Sequence, residues 1–133
     1  MAELRFIETV AERARVAEDQ AASLTEATLR TLTERITAGE ADDLPARLPD
    51  QFRPLLIKFT EPAQGFPYEE FIARVAQRAG VEHDIAERGV RAVLQTMHPL
   101  VGDREFDEVM AQLPHQFREL VQTAPQQPAP RRR

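Results

Sequence analysis

The feature that most constrains this chain is a segment that occurs twice. LPDQFRPLL, Leu48 to Leu56, returns as LPHQFRELV, Leu113 to Val121, 65 positions later. The same offset pairs Phe52 with Phe117, Arg53 with Arg118, Pro49 with Pro114 and Leu55 with Leu120. Followed backwards without a gap, it joins Phe6-Ile7 to Phe71-Ile72, Val10-Ala11 to Val75-Ala76 and Arg13-Ala14 to Arg78-Ala79. Between these lie Asp19/Asp84, Ala27/Ala92, Leu29/Leu94, Thr31/Thr96, Glu40/Glu105 and Asp42/Asp107. A single register kept over some fifty positions marks a tandem duplication.

Each repeat of about 55 residues would bury too little surface to be stable alone, so the halves are expected to share a core. Apolar residues fall at helical spacing and strand-favouring runs are absent, which predicts an all-α fold. The expected architecture is a pseudo-symmetric bundle of about eight helices from two four-helix repeats. Residues 1–123 form a single helical domain on this reading: repeat one 4–59, a linker 60–67, and repeat two 68–123. The tail, 124–133, is polar and proline-rich and is expected to be disordered.

In chain order, the first helix spans 3–15, with Phe6, Ile7, Val10, Ala11 and Ala14 on one face. A second, capped by Asp19, runs to about Thr37 and ends at Gly39 as a left-handed residue. A short third helix covers Glu40 to Arg47, its acids at the end that the helix dipole favours. Pro49 opens a fourth, with Phe52, Leu55, Leu56 and Phe59 inward. In the linker, two prolines and a glycine within TEPAQGFP break any helix. The pattern then repeats from Pro67, with Gly80 at the place of Arg15. His98-Pro99 interrupts the long helix of the second half, and a kink or stop near Thr96 is expected there. Phe6, Phe71, Phe52 and Phe117 are the expected aromatic core.

FIxxVAxRA with a following valine, the Ala/Leu-rich second helix, the acidic turns Glu40/Asp43 and Glu105/Glu108, and LPxQFRxL carry a resemblance across roughly residues 4 to 123. Together they resemble the uncharacterised bacterial family called domain of unknown function 2267. That resemblance implies a fold and no activity, because none of its motifs is catalytic. The departure from the family pattern is His98-Pro99.

Charge and composition exclude several classes of function. The chain carries −5, and residues 1–130 hold 14 basic against 22 acidic residues, a balance of −8. So acidic a body repels nucleic acid and anionic lipid. Sixteen arginines against one lysine point to the coding bias of a GC-rich genome. With no cysteine there is no disulfide, thiolate nucleophile or Cys-ligated metal. No run approaches the ~18 apolar residues of a membrane span, and the N-terminus lacks the apolar stretch of a signal peptide. These features place the protein in the bacterial cytoplasm.

Each candidate site in the sequence also has a plainer reading. His83, His98 and His115 lack the close spacing of zinc ligands and have no counterparts in the first repeat. The acidic clusters lack the alternating ligands and central glycine of a calcium loop. No nucleotide-binding glycine loop or nucleophile elbow occurs. The pair of helices over 40–58 lacks the basic face of a DNA reader. No metal and no cofactor is therefore expected. Arg53/Arg118 and Asp42/Asp107 recur in register, as structural ion pairs or as anion-binding arginines, with Arg13/Arg78 behind them. The residues thus predict a non-enzymatic protein-interaction module, its partner another protein. The alternative is a small-ligand-binding protein or enzyme that uses a groove between the repeats.

Overall fold

The first helix forms where Phe6, Val10 and Ala14 fall on one face, and all three are buried in the computed structural model. That model describes residues 2–37, 39, 41, 44, 46–57 and 63–122. Six α-helices and one 3₁₀ helix occupy these residues, with no strand among them: α1 Ala2–Ala14, α2 Glu18–Arg35, the 3₁₀ helix Asp50–Leu56, α3 Tyr68–Ala79, α4 His83–Val101, α5 Asp103–Ala111 and α6 Gln116–Gln122. The expected third helix falls largely on residues outside this set, Glu40, Asp42 and Asp43 among them, although Gly39 and Ala41 are helical. Phe59 and the tail from 123 also lie outside it.

The helices interlock across the midpoint of the chain. α1 packs on both α2 and α4, α3 packs on both α4 and α2, and α2 and α4 cross each other. A continuous apolar core follows, from Phe6 and Val10 through Leu24 and Leu32 to Val93, Met97 and Phe117. α2 and α4 pack tightly at Gly89, where an added Cβ would lie 2.6 Å from Cδ2 of Leu24. A residue without a side chain leaves room there for the Leu24 methyl groups.

Four local features differ from the sequence expectation. α2 stops at Arg35, not near Thr37, because the extended Ile36 leaves the helix path and buries completely. The amide of Thr37 is then held from outside the helix, donating to Gln112 Oε1 at 2.7 Å. Gly39 consequently is no left-handed cap; positive φ among the glycines occurs at Gly80 and Gly102.

The segment after Pro49 winds as a 3₁₀ helix instead of an α-helix. Pro54 supplies the reason. In an α-helix its ring would clash with the Asp50 carbonyl one turn back, and the segment instead closes on tighter bonds such as Phe52 N–H to Pro49 C=O at 2.9 Å. Glu119 stands 65 positions after Pro54 in the recurring segment, and α6 there is α-helical.

Pro99 does not end α4 near Thr96. The helix runs on to Val101, with Gly102 donating to the His98 carbonyl at 2.9 Å. Pro99 sits in the last turn, where its missing amide costs one hydrogen bond and no further turns depend on it.

Arg15 and Gly80 follow α1 and α3 with φ of 61° and 70°. Both close their helix with left-handed backbone, and in both cases the next amide, of Val16 or Val81, donates back to Ala11 or Ala76. The turn demands the same geometry twice. Glycine meets the demand without strain in one place only.

Candidate interaction clefts

Where α2, α3 and the end of the linker meet, the chain binds a carboxylate of its own. Glu34, on the last turn of α2, accepts from Arg74 Nη1 at 2.9 Å and from Arg78 Nη2 at 2.6 Å. Arg78 Nη1 also donates to Thr31 Oγ1 at 2.9 Å, and that hydroxyl donates to the Ala27 carbonyl one turn back. The Arg74 guanidinium lies 3.8 Å from the centre of the Phe66 ring, within the range of a cation–π contact. Gln64 lies alongside, its amide donating to the Glu34 carbonyl at 2.9 Å. Arg35 closes the far side, donating to the carbonyls of Phe66 and Gln112. Partial burial pushes the Glu34 carboxyl upward, but the hydrogen bonds from Arg78 and then Arg74 outweigh it and hold the group below the usual carboxylate range.

A cleft of about 670 Å³ opens between the start of α1, the last turn of α4 and the segment 46–49. Its walls are apolar, from Phe6, Leu48 and Leu100 among others, and Arg5, Arg13 and Arg47 stand on its rim. No described lining residue is acidic. Arg47 donates to the Val101 carbonyl at 3.1 Å. Arg5 and Arg13 have no side-chain ion pair among the described residues. Three positive charges therefore edge an apolar depression without an opposing carboxylate among the described residues.

A second cleft, of about 600 Å³, shares Arg13 with the first and is lined also by His98, Phe106, Asp107 and Arg118. His98 stacks on Phe106 at 4.0 Å between ring centres, and its Nε2 lies 2.8 Å from Asp103 Oδ1.

The recurring arginines meet different fates. Arg53 pairs with Asp50 at 3.0 Å, within its own turn and largely in solvent; the expected partner Asp42 lies outside the described residues. Arg118 makes no ion pair with Asp107 or Glu105, and it faces the second cleft together with Asp107. Arg78, which the sequence singled out less strongly, is the recurring arginine that binds a carboxylate on another helix. Glu34 and Arg74 were not legible, because neither recurs and nothing in their spacing pairs them. The histidines are dispersed: His83 lies 3.2 Å from Glu69 Oε1, His98 is in the second cleft, and His115 is exposed. Among the described residues no three His, Asp or Glu side chains are grouped to hold a metal ion, and no helix is long and apolar enough to cross a membrane.

Residues 4–120 match the profile of the family described as Uncharacterized conserved protein (DUF2267). The chain belongs to the DUF2267 family. No curated protein matches it. The match spans every element that builds the DUF2267 core here, from α1 through most of α6. Both clefts lie within it except for Ala2 in the first and Val121 and Gln122 in the second.

Proposed function

We propose that this DUF2267 chain is a non-enzymatic binding module that takes a partner protein through the first cleft. The observation that carries this reading is the rim of Arg5, Arg13 and Arg47 around apolar walls with no described acidic neighbour. Arginine stays protonated at any physiological pH, so it anchors anions well and shuttles protons poorly. Apolar walls supply the affinity that exposed charges alone do not. Affinity purification with the tagged wild-type chain should recover a partner that an Arg13→Glu chain fails to recover. Recovery of the same proteins by both would remove this cleft from consideration.

The cleft also fits a duplicated architecture, which we propose persists in three dimensions as one domain over 1–123. Three features support it. The ring pair Phe6–Phe52 meets at 5.1 Å and 74°, and its counterpart Phe71–Phe117 at 4.9 Å and 70°. The left-handed residues Arg15 and Gly80 are 65 positions apart. So are Leu24 and Gly89, which touch one another, as a residue and its own copy do on a two-fold axis. The arginine-rich, cysteine-free composition supports a bacterial cytoplasmic setting.

The second cleft favours a different reading, a small-ligand site, because it brings together Arg118, His98 and Asp107. Loss of a bound metabolite on Arg118→Ala, with the partner protein still recovered, would support that reading.

A further inference from the structure

The occupied carboxylate site and the open cleft stand at corresponding places in the two copies, and the differences between them define what the open one lacks. The positions 65 residues from Thr31 and Arg78 are Thr96 and Arg13, and both line the cleft. Thr96 donates to Ala92 at 2.7 Å as Thr31 donates to Ala27 at 2.8 Å, which leaves each hydroxyl oxygen free to accept. Arg78 uses that acceptor and a carboxylate. Arg13 has the acceptor's equivalent, but the position corresponding to Glu34 is Pro99, also on the cleft wall. The internal acid has been replaced by a residue that cannot bind a guanidinium.

We infer that the first cleft receives an acidic peptide segment of a partner protein, whose carboxylate takes at Arg13 the role that Glu34 takes at Arg78. This rests on the binding-module reading and adds the chemistry of the occupant. Two further features define the segment. In the closed copy the site is covered by extended chain, with Gln64 on the Glu34 backbone and the Phe66 ring over Arg74. A peptide with an apolar residue beside its acid would lie the same way on Phe6, Leu48 and Pro99. The chain's own tail does not supply such a segment: the positions matching Gln64 and Phe66 are Ala129 and Arg131, in a stretch 123–133 without an acidic side chain. A rim of three arginines selects against RRR and for a carboxylate.

The test uses the full chain and a fluorescein-labelled pentapeptide, capped at both ends, with one glutamate followed by leucine and phenylalanine. Fluorescence anisotropy should show saturable binding. The same peptide with glutamine for glutamate should bind at least tenfold more weakly, as should the glutamate peptide to Arg13→Gln. Pro99→Glu restores the internal acid, so it should raise the unfolding temperature and also weaken the peptide tenfold or more. That variant separates this cleft from the second, which Arg13 shares but Pro99 does not line. Equal binding of both peptides, lost only in Pro99→Glu, would leave the module standing and overturn the carboxylate. Displacement by millimolar phosphate but not by glutarate would overturn it in favour of a phosphorylated ligand. No binding of either peptide would overturn the inference outright, and the purification with Arg13→Glu would still judge the module.

Discussion

Phe6 and Phe52 meet edge to face, their ring centroids 5.1 Å apart and their planes at 74°. The first turns of α1 are thereby fastened to the 3₁₀ helix, across 46 residues of chain. Sixty-five positions on in the sequence, Phe71 and Phe117 fasten α3 to α6, and Tyr68 adds a third ring at 4.9 Å. These four phenylalanines are at most 3% exposed. Edge-to-face pairs add about 0.5–1.5 kcal/mol to the burial of the rings themselves.

Phe52→Ala and Phe117→Ala should therefore each cost about 3–5 kcal/mol, a large part of the roughly 5–15 kcal/mol that stabilises a small domain. Because α1 packs on α4 and α2 on α3, neither half has a core to itself. Each single variant should unfold in one cooperative transition at a lower denaturant midpoint, and the double variant should scarcely fold. Circular dichroism against urea reads this directly. Two separate transitions in either single variant would show that the halves fold independently.

Arg15 and Gly80 provide a test confined to the backbone. Left-handed φ costs a side-chain-bearing residue about 1–2 kcal/mol, while glycine loses more freedom on folding, by up to about 1 kcal/mol. Arg15→Gly should thus stabilise by roughly 0.5–1 kcal/mol. Gly80→Ala should destabilise by a similar amount, although no atom lies within 4 Å of the added methyl group. Opposite shifts in the thermal midpoint would establish that the turn, and not contact, sets the requirement. If Arg15→Gly lowers the midpoint, the turn gains more from arginine than it loses in strain.

Gly89→Ala sets helix propensity against packing. Alanine is favoured over glycine by about 1 kcal/mol inside a helix. Here, however, its Cβ would fall 2.6 and 2.9 Å from the two methyl carbons of Leu24, a fully buried side chain. Overpacking of this kind costs about 1–3 kcal/mol. The substitution should destabilise the wild type and, in a Leu24→Ala background, stabilise by up to about 1 kcal/mol. A change of sign between the two backgrounds is the readout of a double-mutant cycle. The same sign in both would mean that α2 and α4 are not held at this distance.

The sequence disclosed those parts of the molecule that repeat or alternate with helical period. Phe6, Phe52, Phe71 and Phe117 recur at one offset, so their burial and the all-helical class could be read from spacing. The end of α2 could not, because it depends on Ile36 finding a pocket and on Gln112, 75 residues away, reaching the Thr37 amide. Pro54 and Pro99 show the limit of a rule without context: one retunes a whole helix, the other rests harmlessly in a last turn. The clefts were the least legible. Arg13 was visible as a recurring residue, but its lack of an acid among the described residues becomes apparent only once α1 lies against the end of α4. Arg53 and Arg118 recurred as clearly, yet one pairs within its own turn and the other faces the second cleft.

Glu34 yields the last prediction, in which pH is the variable. Its two arginine partners hold the folded carboxyl below its ordinary value of 4.5, which the unfolded chain retains. A carboxylate with a depressed folded pKa contributes stability that is fully present above the unfolded value and is lost as pH falls through the folded one. Glu34→Gln removes that contribution at every pH. The side chain is 28% exposed, so solvent screening reduces the worth of its charged hydrogen bonds to about 1 kcal/mol. The difference in unfolding free energy between wild type and Glu34→Gln should accordingly be near 1 kcal/mol at pH 7 and unchanged at pH 6. It should shrink below about pH 4.5 and approach zero once both states are protonated. Glu26→Gln is the control, since its ion pair with Arg30 is 3.3 Å long and about half exposed, and it should shift the midpoint little at any pH. A Glu34→Gln difference that persisted undiminished to pH 2 would assign the stabilisation to packing of the side chain, and not to its charge between Arg74 and Arg78.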